Sequence, residues 1–177
     1  MSLSHSRRAG ILICMLLLTA VSAHAADYQL ADGRVRFRVP DAWPQIMMQV
    51  SGNPQFMAFQ VPNTFPVGQR VLARATITVE HMASVEVFKQ WVNQRVQHSH
   101  QLPGYQAVSG GMDSSVVRYK AMESGVPMRY SERYYLKGHD GVQLRCLRPG
   151  RSEVDAAWVV DFDRGCDSIA ASLQAGG

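Results

Sequence analysis

Apolar and polar residues alternate with a period of two over most of this chain and shift to helical spacing in two places. Residues 28–30 and 35–39 flank Ala31-Asp32-Gly33-Arg34, and Asp-Gly between alternating runs signals a hairpin. Val35, Phe37 and Val39 take one face of the second run, while Arg34, Arg36 and Arg38 take the other. Pro40 stops that strand, because it cannot donate to a ladder. Two further apolar blocks, 46–50 and 56–61, are split by the turn residues Ser51-Gly52-Asn53-Pro54, and 62–68 reads as a loop. Residues 71–80 alternate cleanly. Val71, Ala73, Ala75, Ile77 and Val79 oppose Leu72, Arg74, Thr76, Thr78 and Glu80, as in a half-buried strand. The period then changes. Ser84 is a good N-cap, Glu86 suits the first turn, and Val85, Phe88, Val92 and Val96 recur on one helical stripe beside Trp91. A helix over 85–98 follows, closed off by Pro103-Gly104.

Four more strand-like runs occupy 105–108, 115–122, 126–136 and 142–147. Gly110-Gly111, Ser124-Gly125 and Asp140-Gly141 separate them, which predicts an antiparallel meander. Val154, Trp158, Phe162, Cys166, Ile169 and Leu173 fall on one stripe behind Ser152 and predict a closing helix, which Gly165 weakens and could split in two. The expected fold is α+β: an antiparallel sheet of six or seven strands with two helices packed on its apolar face. A chain with 46% hydrophobic and 18% charged residues is not disordered, collagenous or coiled-coil.

Residues 1–25 read as a signal peptide. Arg7 and Arg8 precede the apolar run 11–18, and Ala23-His24-Ala25 supplies the small residues for cleavage near Ala25. Residues 26–177 are then one domain of 177 − 25 = 152 residues, periplasmic or secreted, with a net charge reduced from +4 to 18 − 2 − 14 = +2. No second long apolar run follows, so no transmembrane segment is expected in the mature chain. Cys14 lies within the apolar run behind Ile13, which does not suit lipidation. Cys146 and Cys166 remain as an even pair in an oxidising compartment, and a disulfide is expected between them. Closing a loop of this length contributes about 3 kcal/mol on the chain-entropy model. A redox pair would sit two residues apart, and a metal site would need more ligands nearby.

Phe37-Arg38-Val39-Pro40-Asp41-Ala42-Trp43 resembles the F-x-[IV]-P-x-x-W opening of the PsbP-like superfamily. Ser84-Val85-Glu86-Val87-Phe88 resembles the start of that fold's helix, and Ile169-Ala170-Ala171-Ser172-Leu173 its closing motif. The group includes a photosystem accessory protein, a Ran-binding nuclear transport factor and periplasmic proteins of the DcrB type. The resemblance implies an αβ sandwich that serves as a protein-binding or assembly module, and it implies no catalytic residues. DcrB-type proteins are often lipoproteins, and this chain lacks the lipidation cysteine, so no lipid anchor is expected.

Candidate chemistry is sparse. His98-Ser99-His100 could chelate a metal if extended, but the pair falls at a helix end, so no metal site is expected. His81 and His139 stand apart from it. Asp161-Phe162-Asp163-Arg164-Gly165-Cys166-Asp167 lacks the closing Glu of a calcium loop and reads as a solvated acidic helix face. There is no Gly-x-Ser-x-Gly elbow, Walker loop or dinucleotide fingerprint, so neither enzymatic activity nor a cofactor is expected. Ser131-Glu132-Arg133 and nearby tyrosines offer titratable groups that no spacing singles out. What stands out is strand parity. Arg34, Arg36, Arg38, Arg74, Arg118, Lys120, Arg129, Arg133, Lys137 and Arg145 all oppose apolar neighbours, so one sheet would project ten cations from its outer surface. Such a face steers an acidic protein partner, in envelope assembly or as an immunity-type inhibitor of a toxin. The same parity also describes the ordinary wet face of a sheet covered by long Arg stems. Alternatives are a binder of anionic envelope ligands and a cryptic hydrolase. Nucleic acid is not an expected partner in that compartment.

Overall fold

The computed structural model describes residues 24–62, 72–108, 115–150 and 155–175. The leader, the start of the 71–80 strand, the Gly110-Gly111 turn and the Ser152 cap lie outside the described residues. The elements are β1 (Ala25–Leu30), β2 (Val35–Pro40), β3 (Gln45–Gln49), β4 (Gln55–Gln60), β5 (Arg74–His81), α1 (Val85–His100), β6 (Gln106–Ala107), β7 (Val116–Glu123), β8 (Val126–Lys137), β9 (Asp140–Pro149) and α2 (Ala156–Ala175). Each lies within a few residues of its predicted position. The α+β expectation holds, with a seven-stranded antiparallel sheet in the order β3-β4-β5-β9-β8-β7-β6 and a separate pair, β1-β2. The predicted meander β6-β7-β8-β9 is present. It joins a second meander, β3-β4-β5, through antiparallel pairing of β5 with β9.

Local chemistry accounts for the turns and caps. Between β1 and β2, Asp32 (φ 54°) and Gly33 (φ 84°) both adopt left-handed backbone, which Asp tolerates and Gly adopts freely. At the start of α1 the Ser84 hydroxyl accepts from the Val87 N–H at 3.3 Å, as the capping pattern requires.

One expectation is corrected. The helices do not share an apolar face; they lie on opposite faces of the seven-stranded sheet. Lys137 pairs with Asp140 around the turn residues Gly138 and His139. A two-residue turn places odd-numbered residues of β8 opposite even-numbered residues of β9. Apart from Tyr135, Leu147 and the prolines, the apolar residues of both strands are even-numbered, so Met128 and Tyr130 project to one side while Leu144 and Cys146 project to the other. The apolar half of the sheet therefore changes sides between β9 and β8.

Each face then carries its own core. On one, Phe59, Ile77, Leu144 and Cys146 pack with Phe162, Cys166, Ile169 and Leu173 of α2 and with Val35, Phe37 and Val39 of the β1-β2 hairpin. On the other, Tyr119, Met128, Tyr130 and Leu147 form a second buried cluster, with Leu102 and Tyr105 of the segment after α1 packed against it. Trp91 of α1 meets Tyr134 edge-on at 5.8 Å there. The Arg34 Nε donates to Asp140 Oδ2 at 2.7 Å, tying the hairpin to the β8-β9 turn.

The expected disulfide is present. Cys146 of β9 and Cys166 of α2 are bonded, with Cα atoms 6.4 Å apart. Helix α2 runs unbroken through Gly165, so the split into two helices does not occur. Trp43 stacks on Phe162 at 5.8 Å and lies where a Gly165 side chain would be. Gly165 thus makes room for an indole.

In an open helix Gly→Ala is stabilising by roughly 1 kcal/mol. Here Gly165→Ala is expected to destabilise by about 1–3 kcal/mol through overlap with Trp43, measurable by urea unfolding. Replacing Cys146 and Cys166 together by Ala is expected to lower stability by about 3 kcal/mol under oxidising conditions, read from the same curves.

Candidate binding cleft and a buried carboxylate

The register separates the ten predicted cations onto three surfaces. Arg34, Arg36 and Arg38 are exposed on the outer side of the β1-β2 hairpin. Arg74 and Arg145 project to the α1 side, where they pair with Glu123 (2.8 Å) and Glu132 (2.7 Å). Arg118, Lys120, Arg129, Arg133 and Lys137 project to the α2 side. One sheet face bearing all ten is therefore corrected, for the same reason that the helices are divided. Lys137 lies at the far end of β8. Its Nζ is buried without a hydrogen-bond partner among the described residues, and desolvation pulls its pKa below the ordinary lysine value.

Four arginines do come together. Helix α2 covers the β5-β9 half of its face and leaves the β7-β8 half open. Between them lies a cleft of about 300 Å³ lined by Arg118, Arg129, Ser131, Arg133 and Arg148 from the strands and by Phe162, Asp163 and Asp167 from α2. Asp163 and Asp167 stand one helical turn apart and face the sheet. Asp163 takes both Nε and Nη2 of Arg148 at 3.0 and 3.1 Å, a bidentate pair. Asp167 accepts from Arg133 Nη2 at 2.6 Å. Four cations less two carboxylates leave the lining at +2, and Lys120 adds a further charge directly opposite Arg129 in the register. Among the described residues Arg129 holds no ion pair or hydrogen bond, and its side chain is exposed.

Arg148 was not anticipated. Its signal was its parity with Leu144 and Cys146, which places it on the α2 side, beyond the reach of that helix's apolar stripe. The acidic run 161–167 is the predicted helix face, but two of its carboxylates are engaged across the cleft rather than only solvated.

The opposite face holds the second polar feature. Glu132 is 0% exposed. Its Oε1 accepts from Tyr119 (2.7 Å) and Arg145 Nε (2.7 Å). Its Oε2 accepts from Gln143 Nε2 (3.1 Å) and from the Tyr134 hydroxyl. A buried carboxylate needs such partners, and here both oxygens are served. Burial, reinforced by the Glu132 charge, pushes the Tyr119 and Tyr134 phenols well above the usual tyrosine range. Tyr130, buried beside Glu123, is pushed up to about 12. Desolvation opposes the charge on Arg145, but the Glu132 carboxylate outweighs it and raises its pKa.

The histidines stay apart from both sites. His98 and His100 are exposed on the last turn of α1, flanking buried Ser99. Among the described residues no group of three or more His, Cys, Asp or Glu side chains is placed to hold a metal ion. No described helix is long and apolar enough to cross a membrane.

No family model and no curated protein sequence matches the chain. Solved structures similar to it include the following two. A Pseudomonas aeruginosa protein of unknown function shares 15% identity at a TM-score of 0.45, covering 85% of this chain and 96% of its own. LpqN, involved in cell envelope biogenesis of Mycobacterium tuberculosis, shares 10% identity at a TM-score of 0.44, covering 75% of this chain and 78% of its own.

The phenol shifts predict an alkaline limit. Unfolded tyrosines lose their protons near pH 10. Tyr130 keeps its proton to about pH 12, and Tyr119 and Tyr134 keep theirs too. Above pH 10 the unfolded chain thus binds fewer protons than the folded one. This stabilisation is complete below pH 10 and is lost as pH rises toward 12. Absorbance titration is expected to show these three phenols ionising late, together with unfolding.

Proposed function

We propose that this chain is an exported, non-enzymatic binding module that captures an anionic group on a partner protein in the cleft between β7-β8 and α2. The observation that carries the reading is the concentration of Arg118, Arg129, Arg133 and Arg148 in one concavity, with Arg129 left exposed and unpaired among the described residues. Guanidinium groups recognise carboxylates and phosphates in bidentate fashion, as Arg148 already does with Asp163. A carboxylate from a partner can exchange with Asp163 or Asp167, which are more than half exposed (54% and 65%), while the arginines they hold are mostly covered.

Export is supported by the basic and apolar leader pattern and by a disulfide that an oxidising compartment maintains. A non-catalytic role is supported by the use of both described cysteines in that bond and of both Glu132 oxygens in hydrogen bonds. The PsbP-like resemblance fits this reading, since that superfamily supplies binding and assembly modules. An envelope-assembly role and an immunity-type role both fit. A second reading, a small phosphate-bearing envelope ligand in the same cleft, is favoured by the concave shape, which suits a single anionic group.

Titration calorimetry with an Asp/Glu-rich peptide, and separately with inorganic pyrophosphate, tests both readings. Arg129→Glu is expected to weaken binding about tenfold or more, and binding is expected to fall steeply as salt rises. Arg36→Glu, on the distant hairpin, is expected to leave it unchanged. Equal effects of the two substitutions would remove the cleft from the proposal.

A further inference from the structure

We propose that the open half of the α2 face receives an acidic helix of a partner protein, laid beside α2 so that the two helices complete one layer. This names the partner of the cleft and rests on the reading of the cleft as an anion site. Strand pairing on this side sets like charges in a row. Arg148 stands directly opposite Arg129, and Arg129 directly opposite Lys120. Like charges opposed in this way repel across a sheet. Asp163 neutralises Arg148. Arg129 and Lys120 are exposed and hold no ion pair among the described residues. Arg118 follows two residues along β7 on the same face. The row thus lacks its anions over β8 and β7, beyond the cover that α2 provides.

Helix α2 shows what arrangement of acids fits these strands. Asp163 and Asp167, one turn apart, reach Arg148 at 3.0 Å and Arg133 at 2.6 Å. Side chains at i and i+4 on a helix stand roughly 6 Å apart. Lys120 and Arg118, two residues apart on one strand face, stand roughly 7 Å apart. A second helix carrying the same pair of carboxylates reaches both, with Arg129 between the two helices. The dimensions of the layer agree. Packed helices lie about 8–10 Å apart, and two strand spacings span about 10 Å. A helix beside α2, which covers β5 and β9, therefore lies over β8 and β7.

Apolar contacts flank the cations. Val160, 54% exposed, shares a stripe of α2 with Asp163 and Asp167 at i, i+3 and i+7, the edge that a neighbouring helix touches. Met122, 36% exposed, pairs with exposed Pro127 in the row beyond Lys120 and Arg129. A lone phosphate uses neither and neutralises only part of the row. An extended acidic segment laid on the face of the sheet leaves its backbone N–H and C=O groups without partners, whereas a helix satisfies its own. Charge, spacing and backbone bonding together select an acidic helix with a small apolar flank.

Two capped peptides of identical composition, each about 18 residues long, test the proposal. One sets its glutamates at i and i+4 along one helical face; the other disperses them around the helix. In titration calorimetry the first is expected to bind the purified chain about tenfold or more tightly than the second. Circular dichroism is expected to show it gaining helix on binding. Lys120→Glu, at an exposed residue outside the cleft lining, is expected to weaken the first peptide about tenfold or more. Equal binding of the two peptides, or no loss with Lys120→Glu, would overturn the helical partner. In that event, pyrophosphate binding that Arg129→Glu abolishes still upholds the cleft. If neither peptide nor pyrophosphate binds, both readings fall.

Discussion

The architecture depends on the register across the two-residue turn between β8 and β9. Lys137 opposite Asp140 commits every later pair to odd against even. Since both strands carry most of their apolar side chains at even positions, the register forces those onto opposite sides of the sheet. Neither set can remain in water, because the burial of apolar side chains is the main favourable term in folding. Each face must therefore recruit a cover of its own, α2 with the β1-β2 hairpin on one side and α1 on the other. A slip of one residue would exchange every side chain on β9 between layers.

The same constraint opens the cleft. On the α2 side, most of the apolar surface ends at β9, and β8 and β7 present mainly polar and cationic residues, Tyr135 and Val116 excepted. Helix α2 follows the apolar half and covers Arg148 and Arg133 only where its own Asp163 and Asp167 pair with them, since an unpaired guanidinium would be costly to desolvate. Its position is held by the bond between Cys166 and Cys146 and by the seating of Trp43 against Gly165. That position sets Asp163 and Asp167 within reach of Arg148 and Arg133. A partly neutralised arginine wall results, with Arg129 and Lys120 beyond the helix carboxylates.

Glu132 links the two faces. It lies between Ser131 and Arg133, both of which line the cleft, but its own side chain points the other way into a network with Tyr119, Tyr134, Gln143 and Arg145. A fully bonded buried charge adds little net stability, since desolvation offsets its attraction. It does hold β8 in one arrangement, because any shift would strand a carboxylate without partners. The strand that forms the cleft floor is thereby anchored from behind.

Periodicity located nearly every element, residue type marked the Ser84 cap and the Asp-Gly hairpin, and the even cysteine count marked the disulfide partners, since the elements, cap and turn depend on neighbours close in the chain and the pair on the cysteines left after the leader. The facing of individual side chains within a strand was equally legible: Arg36 and Arg38 lie outside, Val35 and Phe37 inside. Which strands share a face was not decided by parity within each strand, because that relation depends on pairing between strands. The turn at Gly138-His139 held part of the answer, but only the assembled sheet separated Arg74 and Arg145 from Arg129 and Arg133. Arg148 and Glu132 acquired their roles in the same way. A charged residue at a strand position is exposed, paired or buried according to what packs above it, and that is settled by the tertiary fold.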